Sequence, residues 1–418
     1  MAKLPNEKQS HTIEGGKEMK KMIALIMAVC VLALCACGGG GNSGSAGSGG
    51  SGGGSAGDTV KIGIFQPASG DNGAPGKQET LGSQYANYVT PTVDIGGKTY
   101  NVELVVVDNE SSNDKAVSAA SQLVSAGVSV VLGSYGSGVS IAGSDTFGNA
   151  GIPVIGVSCT NPQVTLGNDH YFRVCFLDPF QGTVLANLAV DEYSAKKAYI
   201  LTKLGDDYSV GVGNYFKEAF EGLGGSCVVE SFQEGNSDFT SYITTAKNEG
   251  CDICLAPISV EALALFLEQA NTQGLGMPVL GGDTLDSNVV AGVGKGTDLD
   301  IYCSTFYAVG GDPTFDEGFT KYMEENPTAL ANNGGNTTIA ACSVLGYDAY
   351  YAALEALKAA GSTDPADVMA ALPSVNFDGA TGHIEFDENG DAVRDAAFVK
   401  HLNTESGEYE MYGEVKVK

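Results

Sequence analysis

Hydrophobic residues of this chain fall into short runs that alternate with amphipathic segments from residue 59 onward. The short runs are rich in valine and isoleucine and predict strands, whereas apolar positions three or four residues apart predict helices. Strands that alternate with helices indicate a parallel sheet with helices on both faces. The first strands are predicted at 60–65, 102–107, 128–132 and 153–157, and the helices between them at 77–89, 114–126 and about 138–149.

The alternation starts again near residue 172, which indicates a second sheet of similar size. About 360 ordered residues are too many for one small core, so two α/β lobes are expected. The end of the chain differs: 382–386 and 397–402, joined by a turn at 387–390, predict a terminal antiparallel hairpin. The remaining strands are predicted at 198–202, 226–232, 252–256, 278–280, 301–305 and 411–418, and the helices at 180–193, 208–223, 238–248, 260–272, 314–325, 338–360 and 364–371.

A short apolar run near the amino end is typical of a secretory signal. Lys20 and Lys21 precede an apolar stretch at 22–34, which is too short to cross a bilayer as a helix. The sequence Leu-Cys-Ala-Cys that ends at Cys37 is similar to a bacterial lipobox, which implies cleavage before Cys37 and lipidation of its thiol. The alternative is an ordinary signal peptide with incidental cysteines.

The segments on either side of this signal give two further expectations. Residues 37–57 consist almost only of glycine, serine and alanine, so they are expected to form a flexible tether with a reach of roughly 25 Å. Residues 1–18 are polar and do not fit a signal. Because Met19 follows the run Glu-Gly-Gly-Lys-Glu, whose codons can spell a ribosome-binding sequence, we hypothesise that 1–18 is a start-site misassignment and that 19–36 is the signal peptide.

Charge and cysteine content exclude several classes of function. A formal net charge of −28 repels phosphate backbones and argues against a nucleic-acid partner. Seven cysteines follow Cys37, so at least one thiol is unpaired if the protein is exported. Cys251 and Cys254 have the spacing of a redox or zinc motif, but in a strand they point to opposite faces and no histidine is nearby. We expect both to pack in the core, and we expect neither a metal nor a cofactor.

Ligands of doubly wound sheets bind beyond the carboxyl ends of the strands. This rule selects two groups of polar and aromatic residues, one from each predicted lobe. The first group is Tyr135, Gly136, Ser137, Ser158, Cys159 and Thr160, and the second is Asp206, Asp207, Tyr208, Ser259 and Asp283.

The two groups have complementary chemistry. Hydroxyls and backbone N–H groups at a helix start suit a carboxylate, whereas a carboxylate beside a tyrosine suits an ammonium group. Together they describe the backbone of an amino acid. Each residue also has a local interpretation: Ser137 as a helix cap, Thr160 as a turn former before Pro162, and Asp283 as the cap of a following helix.

Several motifs occur in the order found in one known family. They are Ile62-Gly-Ile-Phe-Gln-Pro-Ala-Ser-Gly70, Val105-Val-Val-Asp108, Val131-Leu-Gly133, Gly151-Ile-Pro-Val-Ile155, Asp207-Tyr208, Phe377-Asp-Gly-Ala-Thr-Gly382 and Phe386-Asp-Glu-Asn-Gly390. Through them, residues 58–418 resemble the type I solute-binding proteins of ABC importers, in the class for branched-chain amino acids. The resemblance implies two doubly wound parallel-sheet lobes joined by a hinge of three crossings.

The resemblance also implies roles for residues at matching positions. Ser137 and Thr160 would hold the carboxylate of an amino acid, and the carbonyl of Ser158 would accept a hydrogen bond from its ammonium group. Tyr208 stands at a family tyrosine, and Asp283 stands where the family usually has a glutamate for the ammonium group.

Two further positions depart from the family pattern. Pro75 replaces a family aromatic residue, and Ser259 lies near the position of a further family tyrosine. Without these two aromatic residues in the pocket for the ligand side chain, the resemblance implies a side chain that is smaller or more polar than leucine.

The resemblance implies capture of a solute by hinge closure and its delivery to a membrane permease. The lobes would comprise 58–178 with 307–380 and 179–306 with 381–418, with crossings near 177–180, 303–308 and 379–383. We expect an extracytoplasmic, lipid-anchored monomer.

Other functions remain open at this point. The fold could serve a chemoreceptor or kinase as a sensor module, and the ligand could be a related amide or small carboxylate. An enzyme is disfavoured, because Ser140 falls inside a predicted helix rather than on a nucleophile turn, and no Walker or metalloprotease motif is present.

Overall fold

Two sheets form the framework of the protein in the computed structural model, which describes residues 58–416 except residue 395. The first has six strands in the order β2-β3-β1-β4-β5-β6, and the second has seven in the order β15-β14-β11-β10-β9-β7-β8. Each has a parallel centre, as the alternation of strands and helices predicts. The predicted α/β fold class is therefore confirmed.

The first stretch of chain builds the sheet of the first lobe. Its apolar strands are buried between helices, so that Ile62, Ile64 and Val130 are inaccessible to solvent. The sequence pattern missed β2, a short edge strand that pairs with β3 through a Gly96-Gly97 turn of positive φ. The elements are β1 (Thr59–Gln66), α1 (Gly73–Val89), β2 (Thr92–Ile95), β3 (Lys98–Asp108), α2 (Asn113–Ala126), β4 (Val130–Gly133), α3 (Ser137–Asn149), β5 (Val154–Gly156) and β6 (Tyr171–Arg173).

The second stretch builds the parallel part of the other sheet. The predicted strands and helices all occur here, with bounds shifted by no more than two residues, and one short helix at 288–294 was missed. The elements are α4 (Asp178–Tyr193), β7 (Lys197–Lys203), α5 (Asp207–Gly222), β8 (Ser226–Phe232), α6 (Thr240–Asn248), β9 (Ile253–Leu255), α7 (Val260–Thr272), β10 (Val279–Gly281), α8 (Asn288–Gly294) and β11 (Ile301–Thr305).

The last part of the chain returns to the first lobe and then adds the final strands to the second. The long helix α11 packs along α1 at the centre of the first lobe. The elements are α9 (Pro313–Glu325), α10 (Pro327–Asn332), α11 (Ala341–Ala360), α12 (Pro365–Ala371), β12 (Asn376–Gly379), β13 (Gly382–Glu385), β14 (Ala396–Asn403) and β15 (Glu408–Lys416).

The predicted terminal hairpin is wrong in its pairing. The segment at 382–386 pairs with β12 rather than with 397–402, and β14 pairs instead with β11 and β15. The cause lies on α11, where the buried carboxylate of Asp348 accepts hydrogen bonds from the backbone N–H groups of Ala380 and Thr381, both at 2.8 Å. These bonds hold the tight β12–β13 turn against the first lobe.

The chain passes between the two sheets three times. The first two crossings lie between β6 and α4 and just after β11. The third was expected near 379–383, but Ile384 is still in the core of the first lobe and Asp391 still bridges to Arg173 at the edge of its sheet. It therefore lies between 391 and 396, and that part of the prediction is corrected.

The cysteines of the described part of the chain are free. Cys251 and Cys254 are both buried in the core of the second lobe, which confirms that they serve packing. No helix between residues 58 and 416 is long and apolar enough to cross a bilayer. The predictions for 1–18, the signal at 19–36, Cys37 and the tether at 37–57 lie outside the described residues.

Candidate functional site

A cavity of about 310 Å³ lies between the two lobes, at the carboxyl ends of the strands in both sheets. Nine of the residues selected from the sequence line it: Tyr135, Gly136, Ser137, Ser158, Asp206, Asp207, Tyr208, Ser259 and Asp283. The rest of the lining is Asn72, Ser111, Ser112, Asn113, Asp114, Gly138, Val139, Lys203, Leu204, Gly205, Glu234 and Thr284.

The wall on the first lobe contains the amino end of α3. Gly136 precedes this helix with a positive φ of 107° and has no side chain that could cap the first N–H groups. Ser137 is not a helix cap either, because its Oγ accepts a hydrogen bond from the backbone N–H of Asn161 at 3.1 Å. The first N–H groups of a helix have no partner within it, and the helix dipole makes this end positive. The Ser137 hydroxyl proton and these N–H groups can therefore bind an anion.

Behind this wall lies Glu79, which the sequence reasoning missed. Its carboxyl group is buried and accepts hydrogen bonds from Ser158 Oγ at 2.5 Å and from Gln66 Nε2. Gln66 in turn accepts a hydrogen bond from the backbone N–H of Tyr135 at 2.7 Å. Burial raises the pKa of Glu79 to about 8, so the group is mostly protonated at pH 7. Glu79 thus positions two lining residues without adding a full charge.

The wall on the second lobe contains Asp283. Its Oδ1 accepts hydrogen bonds from Tyr208 Oη at 2.9 Å and from Gln181 Nε2 at 3.0 Å, so Asp283 caps no helix. Burial raises its pKa to about 6, although the bonds from Tyr208 and Gln181 oppose that rise. The carboxylate is therefore mostly ionised at pH 7, and Oδ2 is available to a cation.

Ser259 lines the cavity with an unused hydroxyl. It occupies the cap position of α7 but makes no capping hydrogen bond. Its Oγ is buried and has no partner among the described residues. A buried polar group without a partner is costly, and this hydroxyl would gain one if its side chain rotated toward the cavity.

Cys159 and Thr160 do not line the cavity, which corrects the expectation for both. The buried guanidinium group of Arg173 donates hydrogen bonds to the carbonyls of Cys159 at 2.7 Å and Asn161 at 2.8 Å, and these bonds hold the segment against the core. The Thr160 hydroxyl lies beside Asp178, whose pKa burial raises to about 8.

Asp206 and Asp207 lie at the rim of the cavity. Asp206 caps α5 by accepting a hydrogen bond from the N–H of Ser209 at 2.8 Å. Asp207 Oδ2 lies close to Gly138, where an added Cβ would be 3.0 Å from it. The absence of a side chain at Gly138 therefore allows the two lobes to approach here.

Polar contacts join the lobes around the cavity. Lys203 Nζ forms an ion pair with Asp71 Oδ2 at 2.7 Å. Asn161 Nδ2 donates a hydrogen bond to the carbonyl of Asp207 at 2.7 Å, and the N–H of Glu261 donates one to the carbonyl of Asp71 at 3.2 Å. These contacts hold the two lobes close together around the cavity.

The arrangement of the two walls suits the binding of a molecule with two opposite charges. It places anion-binding groups on the first lobe and the Asp283 carboxylate on the second, as a zwitterion requires. Among residues 58–416 outside position 395, no three histidine, cysteine or acidic residues are grouped so that they could hold a metal ion.

Comparisons with known proteins agree with this description. The sequence profile of the periplasmic binding protein family matches residues 59–406. A leucine-binding protein from Thermotoga maritima is 30% identical, with a TM-score of 0.77 over 86% of this chain and 99% of that chain. A branched-chain amino acid transporter substrate-binding protein from Streptococcus pneumoniae, solved with isoleucine, is 26% identical, with a TM-score of 0.74 over 86% and 100%.

A relative known from its sequence gives the same result. A Leu/Ile/Val-binding protein homologue from Brucella abortus is 29% identical over 337 residues, which are 79% of this chain and 87% of the relative. All of these relatives are named as binding or substrate-binding proteins.

Proposed function

The chain belongs to the periplasmic binding protein family and is thus a solute-binding protein, and we propose that its solute is an amino acid bound between the two lobes. The relatives with leucine or isoleucine in their names support this class of ligand. We propose that Tyr135, Gly136, Ser137, Ser158, Tyr208, Ser259 and Asp283 line the binding site.

The proposal rests on the difference between the two cavity walls, one of which suits an anion and the other a cation. The amino acid carboxylate would accept hydrogen bonds from the first N–H groups of α3 and from the Ser137 hydroxyl. Its ammonium group would donate to Asp283 Oδ2 and to the Ser158 carbonyl. The groups for the carboxylate come from the first lobe, whereas the only full negative charge assigned to the ammonium group comes from the second lobe.

Ligand capture follows because the groups that bind the ligand are distributed over both lobes. A ligand that contacts both lobes binds the closed form more tightly than the open form, and this difference shifts the population toward closure. The Lys203–Asp71 ion pair and the Asn161–Asp207 hydrogen bond form only in the closed state. The closed form would then deliver its ligand to an ABC permease.

Calorimetric titration tests the need for both charges. We expect binding of an α-amino acid and at least about a hundredfold weaker binding of its amine and carboxylic acid analogues, each of which lacks one charged group. Equal affinity for an amino acid and its deaminated analogue would contradict the proposed site.

The amino-terminal segment gives a separate proposal about location. We propose that 19–36 is removed, that Cys37 is lipidated, and that 37–57 tethers a monomeric binding protein to the outer face of the cell membrane. Replacing Cys37 with serine should move the protein from the membrane fraction to the soluble extracytoplasmic fraction. Cys35→Ser serves as the control and should leave the fractionation unchanged; membrane retention of the Cys37 variant would contradict lipid anchoring.

A further inference from the structure

The cavity has few apolar groups for a ligand side chain. Of its lining residues, only Val139 and Leu204 have purely aliphatic side chains, and Leu204 is 60% exposed. Hydroxyl, amide and carboxylate groups make up most of the remaining lining. An apolar ligand side chain would therefore gain little from burial here.

Negative charge dominates the cavity. Beyond Asp283, the lining contains four further carboxylates, Asp114, Asp206, Asp207 and Glu234. Its one cationic residue is Lys203, whose ammonium group is already paired with Asp71 at 2.7 Å. The field inside the cleft consequently favours a ligand with excess positive charge.

The unpartnered hydroxyl of Ser259 points to a ligand independently of these acids. The residue is 5% exposed with its Oγ enclosed, no described residue bonds to this atom, and a rotation of the side chain would bring it into the cavity. A branched aliphatic side chain would leave this hydroxyl unsatisfied, whereas a side chain with N–H donors would satisfy it. Ser259 therefore favours a hydrogen-bonding ligand side chain.

We propose that the preferred ligand is a basic amino acid, with an ammonium or guanidinium side chain directed toward the rim carboxylates and Ser259. This inference rests on the proposed function, because it assumes that the α-carboxylate and α-ammonium groups are bound as described. The carboxylates of Asp207 and Glu234 compensate the additional charge. They also repel acidic amino acids, and the polar lining disfavours leucine and isoleucine.

Two carboxylates at the rim allow a selective test. The double variant Asp207→Asn/Glu234→Gln removes two negative charges with little change in volume. We expect its affinity for lysine, ornithine or arginine, measured by calorimetry, to fall about tenfold, because both groups are exposed and partly screened. Affinity for alanine should stay within about twofold, since alanine has no charge beyond its backbone groups.

The exposed Asp191 on α4 provides the matched control. Asp191→Asn removes a similar charge outside the cavity and should leave the affinity for basic ligands unchanged. The inference is overturned if leucine binds the wild-type protein more tightly than every basic amino acid, or if the double variant binds them as well as the wild type does. Absence of binding for all amino acids would instead reject the proposed function, and this inference with it.

Discussion

Replacing Asp283 with alanine is expected to weaken amino-acid binding by at least about thirtyfold. Loss of one partner of a buried charge pair costs about 2–5 kcal/mol, because the other charge is left without compensation. The ligand ammonium group would lose Oδ2 of Asp283, while the α3 wall would still bind the carboxylate. Calorimetry with the wild-type ligand measures the effect, and an unchanged affinity would contradict the ammonium assignment.

The variant should remain folded. Burial raises the pKa of Asp283 from 3.8 to about 6, so the folded ligand-free protein holds this proton more tightly than the unfolded chain does. The ionised group therefore destabilises the ligand-free protein at pH 7, and this effect disappears as the pH falls through 6 to below 4. Circular dichroism should show the native spectrum at pH 7, because the relief of this effect offsets part of the cost of leaving Tyr208 Oη and Gln181 Nε2 without the Asp283 acceptor.

The same pKa predicts how binding depends on pH. Below pH 6, protonation of Asp283 competes with the ligand ammonium group, and the affinity of the wild-type protein should fall up to about tenfold per pH unit. Asp283→Asn has no titrating group at this position and should lack that dependence. A parallel pH profile in both proteins would assign the titration to another residue.

Replacing Gly82 with alanine should cause the largest loss of stability. Gly82 lies on α1 where it meets α11, and an added methyl group would overlap the backbone carbonyl oxygen of Ser343. Gly346 makes the reciprocal close approach, since its added methyl would overlap the carbonyl oxygen of Glu79. Separating two helices in a close-packed core costs about 3 kcal/mol of unfolding free energy. Guanidinium denaturation measures this change.

Gly292 on α8 provides the matched control. A methyl group there has no atom within 4 Å, and the residue lies in a helix without a positive φ. Gly292→Ala should be neutral or stabilise the protein by up to about 1 kcal/mol, because alanine loses less backbone entropy. Similar unfolding free energies for the two variants would contradict the close α1–α11 packing.

The fold could be predicted from the sequence wherever local residue patterns determine the structure. Strand β11 was predicted with its observed bounds, and all five of its residues are buried, as expected for a strand covered on both faces of the sheet. The β12–β13 pairing could not be predicted from the sequence, since it depends on Asp348, which is about thirty residues away on α11. No local pattern shows that a distant carboxylate will bind a turn.

The site was predicted in part for a similar reason. The rule of strand ends found Ser137, Tyr208 and Asp283, and if it had also been applied to β3 it would have found Ser111. Glu79 gives no such signal, because an acid in an amphipathic helix is usually exposed. Its burial follows from the packing of α1 against α11, which only the structure reveals.

A crystal structure of the protein with a bound basic amino acid tests the central claim most directly. We predict that the α-carboxylate lies within hydrogen-bond distance of Ser137 and the first N–H groups of α3, and that the α-ammonium group lies against Asp283. The two walls would then hold opposite ends of one molecule. A ligand bound to one lobe alone, or outside the cavity between the lobes, would contradict this account.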